Sequence, residues 1–201
     1  MNHSKLHSTG TKGIPCMSEQ QQTLPKLTED AVILAFGDSL TYGTGAAAGQ
    51  SYPEVLEKLI GRTVINAGIP GEITALGLAR LPGILDRYRP SLLILCHGAN
   101  DLVQNLSELE AADNIRGMIN FAGERGIKVV LIGMPYPGIF TAQPPLYAKI
   151  AGEFSIPFAR TVLSEILSDI SMKSDSIHPN TRGYRKLAEA VASLLLACGA
   201  V

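Results

Sequence analysis

An α/β fold, with helices layered on both faces of a parallel sheet as a three-layer α/β/α sandwich, is predicted by three observations. Short, continuous apolar runs alternate with segments of helical period. Most of these runs stop at a turn containing Gly or Pro. The 201 residues suit one domain with a substantial core and leave little room for two.

The first strand is Ala31–Phe36, an apolar run that meets Gly37-Asp38-Ser39 and so reads as buried on both faces. A loop of small residues, Gly43–Gly49, leads to a helix over Tyr52–Ile60. Pro53 stands in its first turn, and Val55, Leu56, Leu59 and Ile60 share a face. Thr63–Ala67 is a short β-branched strand ended by Gly68-Ile69-Pro70-Gly71. A helix over Ile73–Tyr88 follows, in which Pro82 predicts a kink or a restart. Ser91–Cys96 is the third strand and ends at His97-Gly98-Ala99-Asn100-Asp101. Ser107-Glu108-Leu109-Glu110 fits a capping box for a helix running to Glu124 and closed by Gly126.

Ile127–Met134 is the fourth strand. The segment Pro135–Pro145, with Tyr136, Ile139 and Phe140 among its prolines, reads as a loop over the carboxyl edge of the sheet. A short helix at Leu146–Phe154 precedes a fifth strand at Ile156–Ala159, a helix at Thr161–Ile170, a polar loop at Ser171–Asn180 and a closing helix at Thr181–Leu196. A doubly wound, flavodoxin-like sheet of order 2-1-3-4-5 would set the first strand between the second and third, so that their loops flank Ser39.

Composition narrows the function classes. Hydrophobic residues make up 46% and charged residues 17%, as in globular chains. Seventeen Lys and Arg against 18 Asp and Glu give a net charge of −1, which offers no footprint for nucleic acid or an anionic membrane surface. The three cysteines, Cys16, Cys96 and Cys198, are widely spaced and indicate neither a disulfide framework nor a metal site. No cofactor or metal is expected, and no apolar run reaches the length of a membrane span. Met1–Glu29 is read as a polar, mostly unfolded extension ahead of a domain over residues 30–201. It has no apolar core of a secretory signal, so a cytoplasmic location is expected, with export left open if the true start differs, Met17 being an alternative. A monomer is the default.

Ser39, just past a buried strand, reads equally well as a residue that with Asp38 makes a turn or caps a helix, or as a nucleophile at the ligand-binding edge of a parallel sheet. Serine needs a base, itself oriented by a third group. His178 is the best candidate: Pro179 biases it away from helix, and Asp175 lies within reach three residues earlier. The competing histidines are His3 and His7 in the polar extension and His97 at a strand end. The plainer reading of Asp175 and His178 is a pair stabilising a helix entry. The turns Gly68–Gly71 and Gly98–Asp101 would bring hydrogen-bond donors to the serine, as acyl transfer requires.

Four blocks, Gly37-Asp38-Ser39-Leu40, Gly71, Gly98-Ala99-Asn100-Asp101 and Asp175-Ser176-Ile177-His178, occur in this order at strand or loop ends. In these the chain resembles the GDSL, or SGNH, hydrolases from Ala31 to the C-terminus. Asn66–Gly71 and Leu78–Pro82 look most similar to the bacterial multifunctional thioesterase/lysophospholipase and arylesterase members. The resemblance implies the SGNH hydrolase fold and a serine esterase acting on small or medium acyl esters or thioesters. Ser39 would attack, His178 would be the base and Asp175 would orient it. The oxyanion hole would be the N–H groups of Ser39 and Gly71 and the side chain of Asn100. Asn100 could instead cap its turn, and Gly71 could serve only a positive φ. Asp38 and Asp101 are read as turn-forming supports, and His97 as a packed or hydrogen-bonded residue that could modulate the site. Tyr136, Ile139 and Phe140 wall an acyl pocket on one reading and belong to a rigid connector on the other. The alternatives to this activity are a carbohydrate or peptidoglycan O-acetylesterase and a catalytically silent acyl- or glycan-binding module.

Overall fold

A computed structural model describes residues 22–140 and 142–201. Five strands, β1 (Val32–Gly37), β2 (Thr63–Gly68), β3 (Leu92–Cys96), β4 (Lys128–Ile132) and β5 (Phe158–Ala159), form one sheet in the order β2-β1-β3-β4-β5. All neighbours are parallel, with Gly37 level with Gly68 on one side and Cys96 on the other. β1 and β3 are buried almost from end to end, as their unbroken apolar runs require when helices cover both faces. At the edge, β2 buries one residue, Val64.

The helices are α1 (Ser39–Tyr42), α2 (Tyr52–Ile60), α3 (Thr74–Tyr88), α4 (Ala99–Val103), α5 (Glu108–Glu124), α6 (Pro145–Phe154), α7 (Val162–Ser168) and α8 (Thr181–Ala197), with a 3₁₀ turn at Ile170–Met172. α2 and α7 pack on α8, and α3 and α6 pack on α5, giving the two helical layers. Good local caps start the long helices. Ser107 Oγ accepts the Glu110 N–H at 3.2 Å, half of the expected capping box, and Asn180 Oδ1 accepts from Arg182 and Gly183. β1 connects to β2 on one side and β3 lies on its other side, so the chain reverses direction in the sheet at β1, where open parallel sheets form their ligand crevice.

Several boundaries differ from the expectation. α1 and α4 were not anticipated. α3 runs through Pro82 without restarting, and the expected 161–170 helix is divided into α7 and the 3₁₀ turn. Residues 1–21, including Cys16, His3 and His7, lie outside the described residues. The rest of the expected unfolded extension is not free of the domain. Leu24 and Leu27 donate their N–H groups to Cys198 O and Ala200 O at 2.8 Å, and Leu27 is buried in the core. An apolar side chain in an otherwise polar stretch supplies the reason, since burying it outweighs the cost of ordering a few residues.

Candidate active site

Ser39 opens α1 immediately beyond β1. Asp38 caps that helix, its Oδ1 accepting the Leu40 N–H at 3.0 Å. The Asp38 side chain is fully buried, and burial raises its pKa above the ordinary carboxylate value. From below, the buried Tyr184 hydroxyl on α8 donates to Thr44 O at 2.8 Å, tying the segment after α1 to the last helix.

The second part of the site comes from the loop between the 3₁₀ turn and α8. This loop is pinned at its base: Asn180 N–H donates to Met172 O, Ser174 N–H to His178 O, and Asn180 Nδ2 to the carbonyls of Ser171 and Lys173. At its tip, Asp175 Oδ1 accepts the N–H groups of Ile177 and His178, each at 2.8 Å. Its Oδ2 stands 2.8 Å from His178 Nδ1, and His178 Nε2 stands 3.0 Å from Ser39 Oγ. The serine, imidazole and carboxylate are therefore in one hydrogen-bonded line. Burial pushes the Asp175 carboxyl up, but the bonds from Ile177 and His178 outweigh it and hold the pKa below the ordinary value. His178 keeps 15% of its side-chain surface and Asp175 keeps 50%, so the pair is partly open to water.

The third part lies at the end of β3. Gly98 caps α4 with φ +107°, and a Cβ there would come within 2.5 Å of the Tyr147 hydroxyl, which itself donates to His97 O at 3.0 Å. Asn100, in the first turn of α4, donates Nδ2 to Glu72 O at 3.0 Å. Asp101 accepts from the N–H and the hydroxyl of Thr74, at 2.9 and 2.6 Å, locking α4 to the start of α3. Gly71 adopts φ +80°. His97 is fully buried; its Nδ1 accepts the Gly98 N–H at 3.0 Å and its Nε2 faces Glu72 Oε2 at 3.2 Å, so it is hydrogen-bonded and away from Ser39.

A cavity of about 40 Å³ joins these parts, lined by Ser39, Asn100 and His178 and by apolar side chains that include Val103, Met134, Leu167 and Ile177. Of the three aromatic and apolar residues expected to wall it, Phe140 does so, with Pro135 and Pro137 beside it. Tyr136 and Ile139 do not. The loop folds back on itself, with Tyr136 N–H bonded to Ala142 O and Ile139 N–H to Tyr136 O. This turns the Tyr136 hydroxyl onto Glu108 Oε1 at 3.0 Å and leaves Ile139 exposed. Gly71 is also absent from the lining and is linked to it through the Glu72–Asn100 bond. Leu40, Ala99, Val103, Met134, Leu167 and Ile177 were missed as wall residues. Leu40 and Ala99 adjoin motif residues, but nothing in the sequence marks Met134 or Leu167, which arrive from separate elements.

Comparison with known proteins identifies the family. An arylesterase from Vibrio mimicus is 29% identical over 192 residues, covering 90% of this chain and 93% of its own length. Thioesterase 1/protease 1/lysophospholipase L1 of Escherichia coli (strain K12) is 28% identical over 171 residues, 81% of this chain and 82% of that one. The crystal structure of AlinE4, an SGNH-hydrolase family esterase, superposes with a TM-score of 0.64 at 32% identity, covering 85% of this chain and 97% of that one. The model of the GDSL-like lipase/acylhydrolase family matches residues 35–186, which span both Ser39 and His178, and the chain belongs to that family.

Proposed function

We propose that this chain is a serine esterase that hydrolyses small or medium acyl esters and thioesters through an acyl-enzyme on Ser39. The observation that carries the reading is the line from Asp175 Oδ2 to His178 Nδ1, 2.8 Å, and from His178 Nε2 to Ser39 Oγ, 3.0 Å. Ser39 Oγ attacks the acyl carbon and its proton passes to His178 Nε2. The carbonyl oxygen becomes an anion facing the N–H groups of Ser39 and Gly71 and one N–H of the Asn100 amide. Collapse expels the alcohol or thiol, which takes the proton from His178. Water, deprotonated by the same imidazole, then releases the acid and frees Ser39. The ionised Asp175 steadies the imidazolium in both halves.

Substrate size is read from the cavity. The cleft beside Ser39 holds about 40 Å³ and opens to solvent, unlike the closed cavity of roughly 150 Å³ that holds a benzene ring, so it seats a short acyl group and leaves the end of a longer one in water. Relatives named arylesterase and thioesterase/lysophospholipase are consistent with ester and thioester chemistry at such a site. Ser39→Ala and His178→Ala are expected to abolish turnover of p-nitrophenyl acetate and covalent labelling by a fluorophosphonate at residue 39. Wild-type turnover in either variant overturns the assignment. A panel of acetylated sugars, acetyl-CoA and p-nitrophenyl esters of rising length tests the size preference, which fails if longer chains turn over faster.

A further inference from the structure

Glu72 is buried next to the site yet lines no part of the cavity. A buried carboxylate persists only where it is paired and hydrogen-bonded, and this one has three such bonds. Arg80 grips it with both ends of its fork, Nε to Oε1 at 2.8 Å and Nη2 to Oε2 at 2.7 Å. His97 Nε2 meets Oε2 at 3.2 Å, and because His97 Nδ1 accepts the Gly98 N–H, Nε2 carries the proton and donates to the carboxylate. Burial pushes the Glu72 carboxyl up, and the bonds from His97 and Arg80 overcome this and hold it at about 2.

The same residue touches the site through its main chain. Glu72 O accepts from Asn100 Nδ2 at 3.0 Å, and its peptide nitrogen adjoins Gly71. Glu72 thus joins the loop after β2 to α4 at two points. Its carbonyl holds Asn100, and its carboxylate holds His97, which holds Gly98 at the start of α4. Arg80 anchors the clamp to the sheet: Nη2 also donates to Ala67 O at 3.1 Å, and the guanidinium lies over the Phe36 ring, 4.1 Å from its centroid.

We propose that Glu72 is a positioning residue of the oxyanion hole, acting through Asn100 with Arg80 and His97 as its supports. This rests on the reading of Asn100 as an oxyanion donor. The Asn100 amide has two N–H groups; fixing one on Glu72 O sets the direction of the other. A misplacement of about 1 Å in such a donor costs ~10²-fold in rate.

The test uses the full chain and reads kcat and KM for p-nitrophenyl acetate with the inhibition constant of a trifluoromethyl ketone, whose hemiketal adduct with Ser39 Oγ carries the anion. Glu72→Gln keeps size and removes charge. We expect kcat to fall ~10–100-fold, the ketone to weaken by the same factor, and KM to stay within about 2-fold. Combined with Asn100→Ala, it should slow the enzyme no further than Asn100→Ala alone, because the two act through one donor. Wild-type kcat in Glu72→Gln, a loss confined to KM, or losses that multiply in the double variant overturn the proposal. His97→Leu and His97→Gln probe the same clamp without altering the loop after β2, which keeps the test decisive should Glu72→Gln not fold. Leu is expected to reproduce the kcat loss and Gln, which restores a donor to Glu72, to recover part of it; equal kcat for His97→Leu and wild type overturns the proposal. Wild-type kcat in Asn100→Ala removes the oxyanion reading itself and leaves Ser39, His178 and Asp175 standing, so the two failures are distinguishable.

Discussion

Asp175 divides its two oxygens between two tasks. Oδ1 folds its own turn by accepting from Ile177 and His178, and Oδ2 alone addresses the imidazole. Asp175→Asn preserves the size but presents an amide that can meet His178 Nδ1 with a donor, favouring the wrong tautomer. Turnover is expected to fall ~10³-fold, short of the ~10⁴ seen where such a carboxylate is buried, because half of this side chain is exposed; steady-state kinetics with unchanged far-UV circular dichroism checks it. Asn100→Ala should cost ~10²–10³ in kcat, the usual effect of one oxyanion donor, and a change in KM alone would make Asn100 a substrate-binding residue instead. Ser39, Asp175 and His178 were legible in the sequence because each stands in a short motif whose chemistry is local. Glu72 was not, since its partners Arg80, His97 and Asn100 lie 8, 25 and 28 residues away and its place in the fold alone brings them together.

At the level of elements, the two unanticipated helices, α1 and α4, are the ones that carry Ser39 and Asn100. With four and five residues they are too short for an apolar period to be read, and they form because Asp38 and Gly98 cap them at the ends of buried strands. The consequence is sharpest at Gly98. Gly98→Ala places a Cβ at φ +107° and against the Tyr147 hydroxyl, which should cost about 1–3 kcal/mol. We expect a lower Tm together with a lower kcat, since α4 carries Asn100; a Tm loss with kcat intact would show that α4 does not orient the donor. The loop at 135–145 was legible as a loop, and Phe140 as part of the pocket wall. The inward or outward aim of Tyr136 and Ile139 depends on how the loop closes on itself, which composition does not encode.

For the whole molecule, parallel pairing followed from apolar runs alternating with helical segments, and the order 2-1-3-4-5 was available only as the flavodoxin-like arrangement such units commonly adopt, while the strap at Leu24–Leu27 was not legible, because it is held by Cys198 and Ala200, far along the chain. That strap borders the amino ends of β3 and β4, at Ser91, Leu92 and Lys128, opposite the carboxyl ends that hold the site. Leu27→Ala should lower stability by about 2 kcal/mol in urea unfolding and leave kcat unchanged. Acid also acts through the fold. Glu72 is held at about 2, below the ordinary glutamate value of about 4.3, so in that interval the unfolded chain binds a proton that the folded chain does not. Its stabilising contribution is complete above pH ~4.3 and is lost as pH falls towards 2; Glu72→Gln should flatten this part of the stability curve, as urea midpoints measured at successive pH values would show.

The bond between Ser39 and His178 joins residues 139 positions apart. During synthesis the nucleophile's strand emerges well before its base, which arrives with the segment that precedes α8, so hydrolytic activity cannot appear on a nascent chain before the residues through His178 have been made. Labelling by an activity-based probe thereby reports that the loop carrying His178 has met the carboxyl end of β1, which helical signal alone does not report.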